Sequence, residues 1–245
     1  MLCCRKRYSF RLTSGRGADQ LKLALRQAHL DWLIQHFALE EGWLTGKSDS
    51  AHQHLFSYKA PELLHQWFQE QRTPQAGFEF KLHLVTPDTR EIGPGSEGYY
   101  ALVLEQLDED LSACRRFYHP TEGGDLKHWP SLIHLLQVLA IAHHHGAIMR
   151  RSQLDAASLY QLSHHKGLIP NWLDRCRPNP LEADHELWPH YSGHYPWLDE
   201  LRAEAKQGLL RAGLTEVLEQ LQNDTLRFSR KPSSGQLATP STPGF

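Results

Sequence analysis

Cysteine is scarce in this chain, and the few cysteines show no spacing typical of a metal site or a redox pair. The 245 residues include only Cys3, Cys4, Cys114 and Cys176, and no C-x-x-C motif occurs. A scaffold held together by disulfides is therefore not expected. The cysteine usage instead predicts a reduced protein that works in the cytoplasm.

Long apolar runs and a strong charge of one sign are also missing. No run approaches the roughly 20 apolar residues that span a bilayer, and the N-terminus lacks the apolar core of a signal peptide. The formal net charge is -2, which gives no reason to expect nucleic acid as a partner. The small basic cluster Arg5-Lys6-Arg7 is compatible with peripheral contact at the inner membrane, although a solvated end explains it as well.

The first half of the chain combines helices with two strands. Unbroken apolar periodicity predicts a long helix over 18–41, and Pro61 opens a second helix that runs to about Arg72. Alternation from Phe78 to Leu84 predicts a half-buried strand, and the apolar run Tyr99–Leu104 predicts a second strand after a turn-rich loop.

The second half reads as mostly helical. The segment Ser131–His145 is apolar nearly all round, which is typical of the buried central helix of a domain. Further helices are expected at about 154–162, 181–188, 196–211 and 215–223, and the end of the chain from Ser229 is rich in Ser, Thr, Pro and Gly, as in a disordered tail.

Three segments, taken in order, resemble a known family. They are a strand that leads into an acidic hinge (Tyr99–Leu107), a helix that ends in histidine and glycine (Leu135–Ile148), and a short apolar run (Gly167–Ile169). Over about residues 55–175 the chain is similar to the lipopolysaccharide core sugar kinases and the related toluene-tolerance proteins of Gram-negative bacteria.

The resemblance implies an α+β, protein kinase-like fold with two lobes. Residues 1–107 would form a reduced N-lobe with strands, 108–228 a helical C-lobe, and 229–245 the tail. ATP would bind at the hinge residues Glu105 and Leu107, with Lys59 as the N-lobe lysine, although a surface lysine before a helix explains Lys59 equally well.

The family's chemical positions are altered in this chain. Laid on the pattern, the catalytic Asp falls on Arg151, the downstream Asn on Ala156 and the magnesium-binding Asp on Pro170. None of these side chains supplies the oxygen ligands that magnesium requires. The expected protein is a pseudokinase that acts as a scaffold or regulator in envelope biology, with a protein or a lipopolysaccharide intermediate as its partner.

An alternative register keeps the chemistry. Shifting the pattern by four residues places Asp155 at the catalytic position and Asp174 at the metal position, 19 residues apart as the pattern requires. The protein would then be an active kinase that uses ATP and magnesium to phosphorylate a core heptose or Kdo.

The 17 histidines support a third hypothesis. The most ligand-like group is His185, His190 and His194, which would make the protein a His-rich metal-binding protein. No H-E-x-x-H motif occurs, however, and the run His143-His144-His145 is explained by the favourable meeting of imidazolium with the negative end of a helix dipole.

Overall fold

The computed structural model describes residues 26–72, 79–93, 95–107, 115–181, 183, 187 and 196–230, with only the backbone of 225–230. The helices are α1 Gln27–Phe37, α2 Glu41–Leu44, α3 Pro61–Gln71, α4 Trp129–His144, α5 Ala156–Ser163, α6 Ile169–Leu173, α7 Pro196–Arg211 and α8 Thr215–Arg230. The strands are β1 Gln53–His54, β2 Phe80–Thr86, β3 Tyr99–Leu107, β4 Arg115–His119, β5 Gly124–Asp125, β6 Ile148–Gln153 and β7 Arg177–Pro178.

The strands form one mixed sheet in the order β1-β4-β3-β2-β6-β7, and β5 pairs with β3 off this path. The meander β2-β3-β4 is antiparallel, whereas β6 lies parallel to β2 after the chain has crossed through α4. Leu82 is thus paired with Leu104 on one side and Met149 on the other.

Each face of the sheet has its own apolar core. Alternate residues of β2 and β3, such as Leu82 and Leu102, pack against α3, α4, α7 and α8. The intervening residues, such as Val85 and Val103, pack against α5 and the start of α6. Because side chains alternate across a strand, one sequence pattern supplies both cores.

Helix α4 is the centre of the larger core, and ten of its residues are buried. It begins at Trp129, with Pro130 in its first turn, and the Ser131 hydroxyl lies 2.8 Å from His128 Nδ1 in the residue that precedes the helix. Gly146 follows with φ +72°, a conformation that suits glycine and turns the chain towards β6. The buried central helix is confirmed.

The expectation of a mixed α and β protein is confirmed, and the two-lobed kinase-like arrangement is not. The segment predicted as a hinge, Glu105–Leu107, forms the last three residues of β3. Strands from both sides of Leu107 join one sheet. The apolar run Gly167–Ile169 is not a strand either, because α6 begins at Ile169.

Several predicted segments fall partly outside the described residues. Residues 1–25 of the N-terminal segment, Phe78, most of 181–188 and the tail from 231 are among them. Within the described ranges, no helix combines the length and the apolar character needed to cross a membrane.

Candidate metal centre

The three consecutive histidines that end α4 reach different helices. His143 Nε2 lies 3.1 Å from Asp224 Oδ2 on α8, and His145 Nε2 lies 3.1 Å from His65 Nδ1 on α3. The histidine run therefore connects α4 to two neighbouring helices, α3 and α8.

The packing of α3 on α4 fixes the positions of two of these rings. His65 lies on the buried side of α3 between Leu64 and Phe68, which are fully buried. The His145 ring stacks on Phe68 with a centroid distance of 4.7 Å and an interplanar angle of 13°. Apolar contacts thus bring a histidine from each helix together.

We call His65, His144 and His145 the trihistidine site. One nitrogen from each ring lies within 4.8 Å of the other two. The ring centroids are 4.9 to 5.6 Å apart. Tetrahedral zinc with Zn–N bonds of about 2.0–2.1 Å separates two ligand nitrogens by about 3.3 Å. The 3.1 Å between His65 Nδ1 and His145 Nε2 is close to that value.

Burial keeps the imidazoles of His144 and His145 neutral. Burial, followed by the nearby His65, His144 and Arg72, lowers the pKa of His145 to about 3. Burial also lowers the pKa of His144. Nδ1 of His144 and Nδ1 of His145 are buried and have no hydrogen-bond partner. The neutral ring is the form in which histidine binds a metal, and a metal between His65 Nδ1 and His145 Nε2 would replace the hydrogen bond that joins these two atoms.

Polar neighbours orient the His65 ring. Its Nε2 lies 3.2 Å from Glu216 Oε1 on α8 and 2.8 Å from the Gln69 amide. The atom of Gln69 that faces His65 Nε2 is its amide nitrogen. A metal at His65 Nδ1 would require the ring proton on Nε2, donated to Glu216, and the Gln69 amide flipped to present its oxygen. Nδ1 then keeps its lone pair, as in histidine ligands that are oriented by a carboxylate.

The metal ligands predicted from sequence, His185, His190 and His194, lie outside the described residues. Sequence reasoning missed the trihistidine site because His65 is about 80 residues from its partners and no motif links them. The usable signal was a histidine run at the end of the most buried helix.

The residues that the kinase resemblance assigns to nucleotide binding lie apart. Lys59 is in the turn before α3 with φ +62°, and its ammonium lies 5.4 Å from the centroid of the Tyr58 ring. It lines a cavity beside α4 and α7. Glu105 and Leu107 belong to β3, and the Glu105 carboxylate is buried.

The Glu105 carboxylate is surrounded by basic side chains of the neighbouring strands β2 and β4. Its Oε2 lies 3.1 Å from Lys81 Nζ and 2.9 Å from His83 Nε2, and its Oε1 lies 3.4 Å from Arg115. Burial raises the pKa of Glu105, but the hydrogen bonds from His83 and Lys81 outweigh it and lower the pKa overall. The arrangement is a structural ion cluster on the sheet.

The two candidate catalytic carboxylates lie beside α5 and α6, on the face opposite the cavity that Lys59 lines. Asp155 precedes α5 and its Oδ1 accepts a hydrogen bond of 2.9 Å from Ser158 N, while Asp174 follows α6. The Asp155 carboxylate also lies 3.5 Å from Arg175 Nη2. The structure therefore does not bring Lys59 together with either aspartate.

The three residues that replace the family's chemical residues belong to regular elements of the fold. Arg151 is a buried residue of β6 whose Nη2 donates a 2.7 Å hydrogen bond to the Arg90 carbonyl. Ala156 is the first residue of α5, and Pro170 stands in the first turn of α6.

Asp155→Ala is expected to lower the melting temperature by about 2–4 °C, because it removes the cap of α5. Asp155→Asn should leave the melting temperature unchanged, since asparagine caps equally well. The measurement is thermal unfolding of both variants, and an equal loss in both would show that the carboxylate charge matters more than the cap. If ATP turnover is present, its loss in Asp155→Asn, which keeps the cap, would instead assign Asp155 a catalytic role.

A buried Ser57–His134 pair does not form a nucleophile. Ser57 Oγ lies 2.6 Å from the Pro120 carbonyl oxygen and 3.0 Å from His134 Nε2. The hydroxyl proton must point to the carbonyl, so His134 donates to Ser57 Oγ and cannot remove its proton. The pair is therefore a structural link between the strands and α4.

Comparison with protein-family models, with curated proteins and with solved structures finds no match.

Proposed function

We propose that the protein binds a divalent transition metal, with zinc as the best fit, through the trihistidine site. The observation that carries the proposal is the convergence of three imidazole nitrogens within 4.8 Å of one another from α3 and the end of α4. Imidazole nitrogen suits zinc and related transition metals, whereas magnesium and calcium require oxygen ligands.

The metal would join three helices. His65 is on α3, His144 and His145 end α4, and Glu216 on α8 contacts His65. Three protein nitrogens leave a fourth position for water. The site is therefore able to hold a stabilising metal, and with water in the fourth position it has the donor set of a catalytic one.

Zinc at about 100 times its dissociation constant is expected to stabilise the protein by about 2.7 kcal/mol and to raise its melting temperature by about 5–10 °C. His145→Phe should keep the stack on Phe68 and abolish the shift, because it removes both ring nitrogens. The measurement is thermal unfolding with zinc and with a chelator.

The matched control is His164→Phe, since His164 is an exposed histidine that also packs against an aromatic ring, Tyr160, with a centroid distance of 4.0 Å. This variant should respond to zinc like the unaltered protein. An equal shift in both variants, or no shift in the unaltered protein, contradicts the proposal.

The kinase-like fold, the pseudokinase function and the active kinase stay predictions. The buried helix α4, which ends in histidine and glycine where the resemblance requires it, favours them. Against an active site stands the separation of Lys59 from Asp155 and Asp174 by the sheet. A lipopolysaccharide intermediate or a protein partner belongs to the same predictions.

A further inference from the structure

A second site lies between the end of β1 and the end of α5. We call it the imidazole cleft, and its cavity of about 480 Å³ is lined by His54, Phe56, Tyr99, Glu122, His164 and His165 among others. It shares Glu122 with an adjoining cavity of about 330 Å³ that also contains Asp125.

Exposed aromatic surface marks the cleft. The Phe56 side chain is 66% exposed although it is large and apolar, and its ring stacks against His54 with a centroid distance of 5.8 Å. On the facing wall, Tyr99 packs edge-on against His164 with a centroid distance of 5.1 Å. Rings on two walls of one cavity offer faces to a bound molecule.

The backbone is strained at the same place. Phe56 has φ +29° and His165 has φ +60°, and they are two of the four non-glycine residues with positive φ in the described part of the chain. Such conformations are costly for residues with a side chain and cluster at binding sites. Phe56 points outward and belongs to neither apolar core.

The charges that line the imidazole cleft favour a cation as its ligand. Glu122 is exposed and forms no ion pair within the described ranges, and none of the described lining residues is Lys or Arg. Burial lowers the pKa of His54, and it lowers the pKa of His165 to about 4, so both rings are neutral at pH 7. The cleft therefore carries negative charge beside exposed rings.

We propose that the imidazole cleft binds an organic cation, an amine or a quaternary ammonium group, between Phe56 and the Glu122 carboxylate. Aromatic faces and a carboxylate attract such a cation together, while a phosphate group would be repelled. The imidazole cleft shares no residue with the trihistidine site, so the two proposals are tested independently.

The test uses calorimetric titration of the full chain with choline and with its neutral isostere 3,3-dimethylbutan-1-ol, and a parallel titration with putrescine. At least one cation should bind, and the tighter-binding cation should have a Kd at least about tenfold lower than that of the isostere. Phe56→Ala and Glu122→Gln should each weaken cation binding by about tenfold.

Two matched variants control for general surface effects. Leu210→Ala removes an exposed apolar side chain elsewhere, and Glu200→Gln removes an exposed carboxylate on α7, so both should bind as the unaltered protein does. An affinity for the isostere equal to that for the tighter-binding cation overturns the proposal. Failure of both cations to bind, or unchanged binding in Phe56→Ala and Glu122→Gln, overturns it as well.

Discussion

Lowering the pH from 6.5 to about 4 is expected to unfold the protein, because buried histidines are held in the neutral form. Burial lowers the pKa of His52 and the pKa of His134 from 6.5 to about 4. Both side chains are only 3% exposed. Each shift corresponds to at most about 3 kcal/mol, against a typical total stability of about 5–15 kcal/mol.

The sign follows from which state takes up protons. Between pH 6.5 and 4 the unfolded chain protonates these rings and the folded chain does not, so acid favours unfolding. The stability is complete above pH 6.5 and is lost as the pH falls towards 4. The Glu105 carboxylate, whose pKa is lowered, loses its contribution only at still lower pH.

The surroundings of these rings explain why protonation is unfavourable. Both nitrogens of His52 are buried without a hydrogen-bond partner, and its ring packs edge-on against Phe117 and near His119. Burial and the neighbouring His165, His54 and His52 hold the pKa of His119 well below its usual range. A proton on any ring of this group would face no carboxylate at contact distance in the described residues.

Urea unfolding at a series of pH values with a chelator present measures this effect. Stability should fall steeply between pH 6.5 and 4.5, and His52→Phe should reduce the slope because it removes one titrating ring. His164→Phe, at an exposed position, should keep the original slope. A stability that is constant from pH 7 to pH 5 would refute the explanation.

Gly124→Ala is expected to destabilise the fold by about 3 kcal/mol. Gly124 on β5 is paired with Tyr100 on β3, and a Cβ at Gly124 would overlap the Tyr100 ring. That ring is 1% exposed and its hydroxyl donates a 2.6 Å hydrogen bond to the Ser131 carbonyl oxygen. Because Tyr100 is held at both ends, it cannot move aside without breaking this bond or the core.

Chemical unfolding of Gly124→Ala measures the loss, and Gly95→Ala is the matched control because a Cβ there meets no atom within 4 Å. Adding Tyr100→Leu to Gly124→Ala should cost less than the sum of the two single changes, since the leucine removes the ring that the alanine Cβ would overlap. A Gly124→Ala variant as stable as Gly95→Ala would show that β5 does not lie against the Tyr100 ring.

The sequence predicts the elements whose pattern is local. Helices α3 and α4 have proline in the first turn and apolar periodicity, and β2 and β3 have alternation or continuous apolar runs. Strand β6, with the sequence Ile-Met-Arg-Arg-Ser-Gln, lacks such a pattern. It becomes a strand because β2, more than 60 residues earlier, offers it a parallel edge.

The site is harder to predict than the fold, because its residues meet only through tertiary packing. Locally, the histidines that end α4 satisfy the rule that imidazolium suits a helix C-terminus. Only the packing of α3 shows that His65 faces His145. Conversely, the sequence makes Asp155 a candidate catalytic residue because it is an aspartate, whereas in the structure it caps α5.

X-ray diffraction from crystals of the zinc-loaded protein, recorded at the zinc absorption edge, tests the metal centre most directly. The expected result is one anomalous peak about 2.0–2.1 Å from one nitrogen of each of His65, His144 and His145. A peak at another position, such as between His185, His190 and His194, or no peak at the trihistidine site, would contradict the proposed metal centre.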